Sequence, residues 1–277
     1  MEAHEHPQIE PIHPGSGRGD GLWKRIGSAL AAIGLVVAKI GAKAKLLLVA
    51  LPKLKLFSTS ASMLVSIAAY QLIFGWLFSI GFVLLLLLHE LGHVFQLRRE
   101  GIKASAPMFI PFMGAVISAR SMGDDAAAEA RVGLAGPILG SIATLVPLGI
   151  WLATGDDFWR ALAFIGFFLN LFNLLPVLPL DGGRAMAALS PWVWLVGFAG
   201  LVAMAFFFPS PILLLILLFG GMESWRRWKA RKTPEGRAYH RIPARTRVLV
   251  AAVYLLLIVA LAVGTSVTHL PRGLGDV

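Results

Sequence analysis

Two histidines and a glutamate lie within a run of leucines, VLLLLLHELGHVF, at residues 83–95. His89 and His93 are four residues apart, so on a helix both side chains project from one face and can bind the same metal ion. Glu90 lies beside them, where its carboxylate can act as a general base on a water that the metal activates. Ionisable groups in hydrocarbon surroundings are costly unless a metal compensates them; the alternative is a helix end whose polar side chains reach toward the interface.

A second motif, NLLPVLPLDGGR at residues 173–184, offers a third metal ligand. Catalytic zinc usually has three protein ligands and leaves one position for water. Asp181 follows an apolar segment, and Pro176 and Pro179 interrupt the helix before it, which frees backbone groups to line a cavity. The two glycines after it allow a tight turn. The alternative to a metal ligand is that Asp181 belongs to an ordinary capped helix end followed by a turn. The two motifs together predict a Zn²⁺ site of His89, His93 and Asp181.

The elements that hold these residues are membrane-spanning by composition. The chain has 277 residues, of which 57% are hydrophobic and 14% charged, and its mean hydropathy is +0.75; a soluble domain carries about a quarter charged residues. The net charge of +10 comes from basic blocks beside apolar segments, as in cytoplasmic loops that face anionic lipid. We therefore expect a lipid bilayer as a partner and no nucleic acid. The absence of cysteine excludes disulfides and cysteine-ligated metal.

The hydropathy pattern predicts an all-α polytopic membrane protein with about seven transmembrane helices. Leu56–Leu88 carries no charge and is too long for one crossing of a hydrocarbon core of about 30 Å, so we expect a break near Gly75. The same argument divides residues 185–222 at the prolines of 206–211. The predicted spans are residues 57–74, 77–97, 132–155 and 161–180, two within 185–222, and 248–268.

The rest of the chain divides by composition into further segments. Residues 1–21 are polar, contain no apolar run of the kind a cleavable signal peptide needs, and are predicted to be a disordered tail. Residues 22–55 hold seven Lys/Arg and no acid, which predicts a basic amphipathic segment on the membrane surface. Residues 56–223 form the core with about six spans. A basic linker (224–247) and a final span with a short tail (248–277) complete the chain.

Residues 104–122 are apolar but contain two prolines and a glycine, which are too many helix breakers for a span. They predict a re-entrant or interfacial strand pair, which is tolerated at membrane depth only inside protein or along a wet cavity. A short polar helix is expected at 123–131, where Asp124, Asp125 and Glu129 look solvated.

The positive-inside rule predicts the orientation. If the basic N-terminal segment is cytoplasmic, alternation of the spans places residues 96–103, Arg184 and the 224–247 linker in the cytoplasm as well. Asp156 and Asp157 then lie outside. We expect a protein of the cell membrane with a cytoplasmic N-terminus and an external C-terminus.

HELGH in one span and N-x-x-P-x-x-P-x-D-G in a later one resemble the site-2 protease family of intramembrane zinc metalloproteases, over roughly residues 57–223. The 104–122 segment is similar to the membrane-embedded β-loop of that family. In one respect the chain departs from the family, because Gly140 stands where members often have Asn, which puts in doubt the local packing or hydrogen bonding of the third span. The resemblance implies a compact member without PDZ or CBS domain. It implies zinc binding by His89, His93 and Asp181, water activation by Glu90, and a contact of Asn173 with the substrate carbonyl or its oxyanion.

The residues and the resemblance together predict a zinc-dependent endopeptidase that cleaves a membrane-protein substrate in or near a transmembrane segment, as in regulated intramembrane proteolysis. The extended 104–122 segment could hold the unwound substrate by strand addition. One alternative is a membrane metal transporter or metal-sensing protein with the same ligands, although transport does not need a base such as Glu90. Another is an inactive scaffold that binds transmembrane segments without cutting them.

Overall fold

The computed structural model describes residues 59–208 and 210–270, so the predicted tail (1–21) and basic surface segment (22–55) lie outside the described residues. The described part is mostly helical with one small sheet, which confirms the predicted class. Within it, three helices are long and apolar enough to cross a membrane, and two apolar helices, Thr59–Phe74 and Trp192–Phe207, are shorter. The total of seven spans stays a prediction.

The helices, in chain order, are α1 (Thr59–Phe74), α2 (Trp76–Arg99), α3 (Ala126–Thr154), α4 (Asp157–Asn173), α5 (Asp181–Ala185), α6 (Pro191–Phe207), α7 (Pro211–Ala230), α8 (Pro234–Tyr239) and α9 (Ala244–Thr268). The strands are β1 (Met108–Ile110) and β2 (Gly114–Val116), and a 3-10 turn, Met186–Ala188, directly follows α5. The three span-length helices are α2, α3 and α9.

Both predicted helix breaks are present. Gly75 separates α1 from α2 with a φ of 76°, a left-handed conformation that glycine adopts without a steric penalty. The second break lies between Phe207 and Pro211. Because α2 then runs unbroken from Trp76 to Arg99, both histidines of the first motif lie on one helix, one turn apart.

Three predicted boundaries are wrong. The polar segment 123–131 is not a separate helix, because Asp125 caps α3 by accepting a hydrogen bond from the Ala128 N–H at 2.7 Å and α3 continues from there into the apolar span. Helix α4 ends at Asn173, well before residue 180, since the prolines that follow cannot continue it. Asp181 does not precede a turn but begins the short helix α5, so the next long helix starts only at Pro191.

The expectation that Glu129 is solvated is also wrong. Its side chain is buried at the start of α3, where the Arg227 guanidinium donates two hydrogen bonds to its carboxylate at 2.7 and 2.8 Å. The Tyr239 hydroxyl donates a further short hydrogen bond. Burial raises the pKa of that phenol, so it remains a donor at neutral pH. Helices α7 and α8 are therefore fastened to α3, although the sequence predicted only a linker at 224–247.

The predicted strand pair is present as an antiparallel hairpin in which Met108 pairs with Val116 and Ile110 with Gly114. Helix α1 fixes its position through two hydrogen bonds to the hairpin backbone. The Phe109 N–H donates to the Ser62 hydroxyl at 3.1 Å. The Phe112 N–H, at the turn, donates to the Tyr70 hydroxyl at 3.1 Å.

The segment between α4 and α5 is held by the helices around the largest apolar core, to which α3, α4, α5, α6 and α9 contribute. The Tyr254 hydroxyl of α9 donates to the Leu174 carbonyl at 2.6 Å. The Trp194 indole of α6 donates to the Gly183 carbonyl at 2.7 Å. These two hydrogen bonds fix the irregular backbone before Asp181 and the short helix α5 that begins there.

Candidate metal centre

The predicted ligands His89, His93 and Asp181 meet at one point. The Asp181 Oδ2 lies 3.1 Å from the His89 Nε2 and 3.2 Å from the His93 Nε2, and the two Nε2 atoms are 3.2 Å apart. All three residues are buried. Ligand atoms about 2.0–2.1 Å from a tetrahedral zinc are separated by about 3.3–3.4 Å, so this triangle matches one face of a zinc site to within a few tenths of an ångström.

Hydrogen bonds on the far side of each imidazole orient both rings. The His93 Nδ1–H donates to the Val132 carbonyl of α3 at 2.8 Å. The His89 Nδ1–H donates to the Asn170 Oδ1 of α4 at 2.8 Å, while the same amide donates to the Gly166 carbonyl at 2.7 Å. With the protons on Nδ1, both Nε2 lone pairs face the Asp181 carboxylate, as metal ligands require. Sequence reasoning missed Asn170, a lone amide in an apolar run one turn before Asn173.

Two glycines of α3 leave the space that the site needs. A Cβ added at Gly136 would lie 2.2 Å from the His93 Nε2 and 2.9 Å from the His89 Nε2, so any side chain there would displace the imidazoles. A Cβ added at Gly140 would lie 2.3 Å from the Asn170 Oδ1. The position where the family often has Asn is thus filled from the neighbouring helix α4. The doubt about packing raised by Gly140 is resolved, since its missing side chain admits the amide that orients His89.

Glu90 follows His89 directly on α2 and is half-buried. Within the part of the chain that the structure describes, its carboxylate makes no hydrogen bond or ion pair. The neighbouring ligands are all engaged with one another or with α3 and α4. A carboxylate beside three ligand atoms, with its own oxygens free, can accept a proton from water.

Asn173, the predicted oxyanion contact, is half-buried at the end of α4. Its amide Nδ2 donates to the Leu169 carbonyl of its own helix at 3.1 Å, and no hydrogen bond joins it to the described ligand residues. A carboxamide has two N–H donors, so one remains available. The structure therefore does not bring Asn173 into the ligand cluster, in contrast to Asn170.

An apolar cavity of about 400 Å³ opens beside the ligand helix, between α2, α3 and α9. Gly92 and Phe95 line it from α2, Ala135 and Ile138 from α3, and Val253 from α9. Ligand pockets of this size are concave and mainly apolar with a few convergent polar groups. Gln96 of α2 and Arg131 of α3 supply the polar part of its lining.

A family model described as peptidase family M50 matches residues 77–155 and 150–195, which contain all three ligands. Over these residues, which are under half of the chain, the protein is similar to peptidase family M50, the site-2 proteases. Members of that family are membrane proteins, and the described part of this chain has three helices that are long and apolar enough to cross a membrane.

Two curated relatives carry the name of zinc metalloproteases. MJ0392 of Methanocaldococcus jannaschii is 28% identical over 138 residues, which cover 48% of this chain and 39% of the relative. Rip3 of Mycobacterium tuberculosis, a candidate zinc metalloprotease by its name, is 33% identical over 137 residues, which cover 44% of this chain and 34% of the relative. The chain thus matches well under half the length of either relative. Family and names imply Zn²⁺, and the donor set of two imidazoles and a carboxylate fits that ion.

Proposed function

We propose that this chain is a zinc-dependent endopeptidase that hydrolyses a peptide bond in or near a transmembrane segment of a membrane protein. One observation carries the proposal: the Nε2 atoms of His89 and His93 and the Oδ2 of Asp181 converge within 3.2 Å, with the unengaged carboxylate of Glu90 beside them. The family match at these residues supports it.

The residues divide the chemistry among them. When bound by His89, His93 and Asp181, zinc supplies Lewis-acid activation of the scissile carbonyl and the attacking water. Glu90 accepts the proton of that water and later donates it to the leaving amine. Asn170 holds the His89 ring in the tautomer that presents Nε2. The second N–H of the Asn173 carboxamide, which is not bonded to the Leu169 carbonyl, is proposed to donate to the oxyanion.

The hairpin suggests how an unwound substrate is held. A helical substrate hides its scissile carbonyl in a backbone hydrogen bond, so it must be extended before water can attack. Strand β1 faces α1 through the bond from Phe109 to Ser62, and no described strand lies on the other side of β2. We propose that the substrate adds to β2 as a third strand, so that main-chain hydrogen bonds hold it extended.

Metal transport or sensing with the same ligands is the alternative. A transported ion needs polar groups on both sides of the binding site. On the side of the ligands toward Gly75, a cavity of about 710 Å³ between α2, α3 and α4 is lined almost entirely by apolar side chains, among them Leu84, Val146 and Phe158. This lining favours hydrolysis over passage of an ion.

Substitution Glu90→Gln tests the proposed hydrolysis. It removes the base and keeps all three ligands, so we expect cleavage to fall by about 10²–10⁴-fold while zinc content is unchanged. Membranes from cells with the wild-type or variant chain are compared for new N-termini in membrane proteins, and zinc is measured in both purified chains. Identical new N-termini in the two samples would refute an endopeptidase that uses Glu90.

We also propose a seven-span topology in the cell membrane, with the N-terminus cytoplasmic and the C-terminus outside. The basic residues around α8 and the first turn of α9 support the cytoplasmic assignment of that region. Reporter fusions after Lys232 and after Leu270 test it. The first should report the cytoplasm and the second the exterior, whereas the same compartment at both points would show that α9 does not cross.

A further inference from the structure

A further cavity, of about 560 Å³, lies at the junction of α7, α8 and α9 and reaches the segment that follows α5. Among the described residues, no aspartate or glutamate lines it. Its polar lining consists of one hydroxyl, one imidazole and four cationic side chains: Ser190, His240, Arg231, Lys232, Arg237 and Arg247. We call it the basic cavity.

The four cations of the basic cavity have no carboxylate partner in the part of the chain that the structure describes. None of them forms an ion pair with a carboxylate among residues 59–208 and 210–270. Two arginines just before them on α7 behave differently, since Arg226 pairs with Glu223 and Arg227 with Glu129. Four positive charges around one concave surface repel one another, and an anion in the cavity relieves that repulsion.

Three of these cations are held in place without a described carboxylate partner, and one of them, Arg237, donates to the Lys232 carbonyl at 2.6 Å. The Arg247 guanidinium donates to the carbonyls of Ala188 and Leu189 at 2.9 Å each and to that of His240 at 2.7 Å. The Arg231 guanidinium lies over the Trp228 ring at 3.2 Å, and its buried Nε has no hydrogen-bond partner in the described part of the chain. Arginines fixed in this way are suited to phosphate, whose oxygens accept several N–H donors at once.

The position of the cavity along the helices indicates where the phosphate comes from. Arg247 directly precedes the uncharged stretch of α9, which is long and apolar enough to cross a membrane. Trp192 and Trp228 pack edge to face at 4.8 Å beside Arg231, and Trp192 is 61% exposed. Tryptophan and arginine at the end of an apolar helix mark the headgroup level of a bilayer.

We propose that the basic cavity binds the phosphate of an anionic phospholipid headgroup. The bound headgroup would neutralise the cations of α7, α8 and α9 together. It would also lie against Ser190, close to the two carbonyls that accept hydrogen bonds from Arg247. In this way it would join the C-terminal helices to the segment that follows α5. The inference does not depend on proteolysis.

Binding of dioctanoyl phosphatidylglycerol to the full chain in a neutral detergent, at fixed ionic strength, tests the proposal. The variant Lys232→Gln/Arg237→Gln removes two exposed cations of the cavity. Its matched control, Arg241→Gln/Arg245→Gln, removes two exposed cations from the same region that do not line the cavity. At about 1 kcal/mol per cation near the surface, we expect about 30-fold weaker binding in the first variant, and little change in the control.

Two further probes distinguish the sources of phosphate. Dioctanoyl phosphatidylcholine has a phosphate whose charge is balanced by choline, so its headgroup is neutral and it should bind weakly. Inorganic phosphate should bind more weakly than phosphatidylglycerol, because it has no acyl chains to contact the apolar surroundings of the cavity. Equal losses in the two double variants would show diffuse attraction and overturn the site. Inorganic phosphate binding as tightly as the lipid, with the same dependence on Lys232 and Arg237, would overturn the lipid assignment. Thermal melting of both variants checks that the fold is retained.

Discussion

Two carboxylates, those of Glu129 and Asp181, are buried in the described part of this protein, and their surroundings are opposite. Around Glu129 every neighbour is a donor: two N–H groups of Arg227 and the hydroxyl of Tyr239 satisfy its oxygens. Around Asp181 the neighbours are two imidazole nitrogens whose own N–H groups point away, toward Asn170 and Val132. The first carboxylate has its counter-charge built into the chain.

The difference separates a structural carboxylate from a metal-binding one. A buried carboxylate surrounded by donors is fully hydrogen-bonded, and removal of its charged partner lowers the stability of the protein. A buried carboxylate surrounded by acceptors needs a bound cation, and removal of that carboxylate weakens metal binding. The sequence predicted the role of Asp181 but not the burial of Glu129, because Glu129 lies in a polar stretch that looked solvated.

The largest effect on stability is expected from Arg227→Met. The change keeps most of the side-chain length but leaves the Glu129 carboxylate buried without its cation, which should lower the free energy of unfolding by about 3–5 kcal/mol. Chemical unfolding in detergent measures this, with zinc content as the second readout. Arg226→Met is the matched control, since this exposed arginine forms a surface pair with Glu223 worth about 0–1 kcal/mol. If Arg227→Met lost its zinc while its stability was unchanged, the assignment of Glu129 as the structural carboxylate would be wrong.

The two asparagines of α4 should give smaller and separable effects. Asn173→Ala removes the proposed oxyanion donor and should reduce turnover by about 10²–10³-fold with zinc affinity unchanged. Asn170→Ala removes the acceptor that orients His89 and should weaken zinc binding by about 10–100-fold. Cleavage assays and zinc titrations on both variants measure these two effects separately. If Asn173→Ala only lowered the melting temperature, its amide would serve the helix contact to Leu169 alone.

The sequence predicted those features that depend on short spacing. The four-residue interval of His89 and His93, the break at Gly75 and the hairpin in residues 104–122 are all local patterns. Asp181 could be chosen because its own motif supplied the prolines and glycines that interrupt regular structure. Each of these predictions needed knowledge of only one helix or one turn.

The features that the sequence did not reveal depend on distant partners. The guanidinium and the hydroxyl that donate hydrogen bonds to Glu129 belong to Arg227 and Tyr239, which are 98 and 110 residues away along the chain. The contact of Asn170 with His89 spans 81 residues and exists only because Gly140 leaves room for the amide between two helices. Helix periodicity shows which face is apolar, but not which neighbouring helix will face it.

Zinc analysis of the purified chain tests the central claim most directly. The wild type should hold one zinc per chain, and X-ray absorption should show two imidazole nitrogens and a carboxylate oxygen at about 2.0–2.2 Å. Asp181→Asn should lose most of this zinc, whereas Glu129→Gln, which alters the other buried carboxylate, should retain it. Full zinc content in Asp181→Asn, or a zinc without imidazole ligands in the wild type, would contradict the assignment of His89, His93 and Asp181 as the metal site.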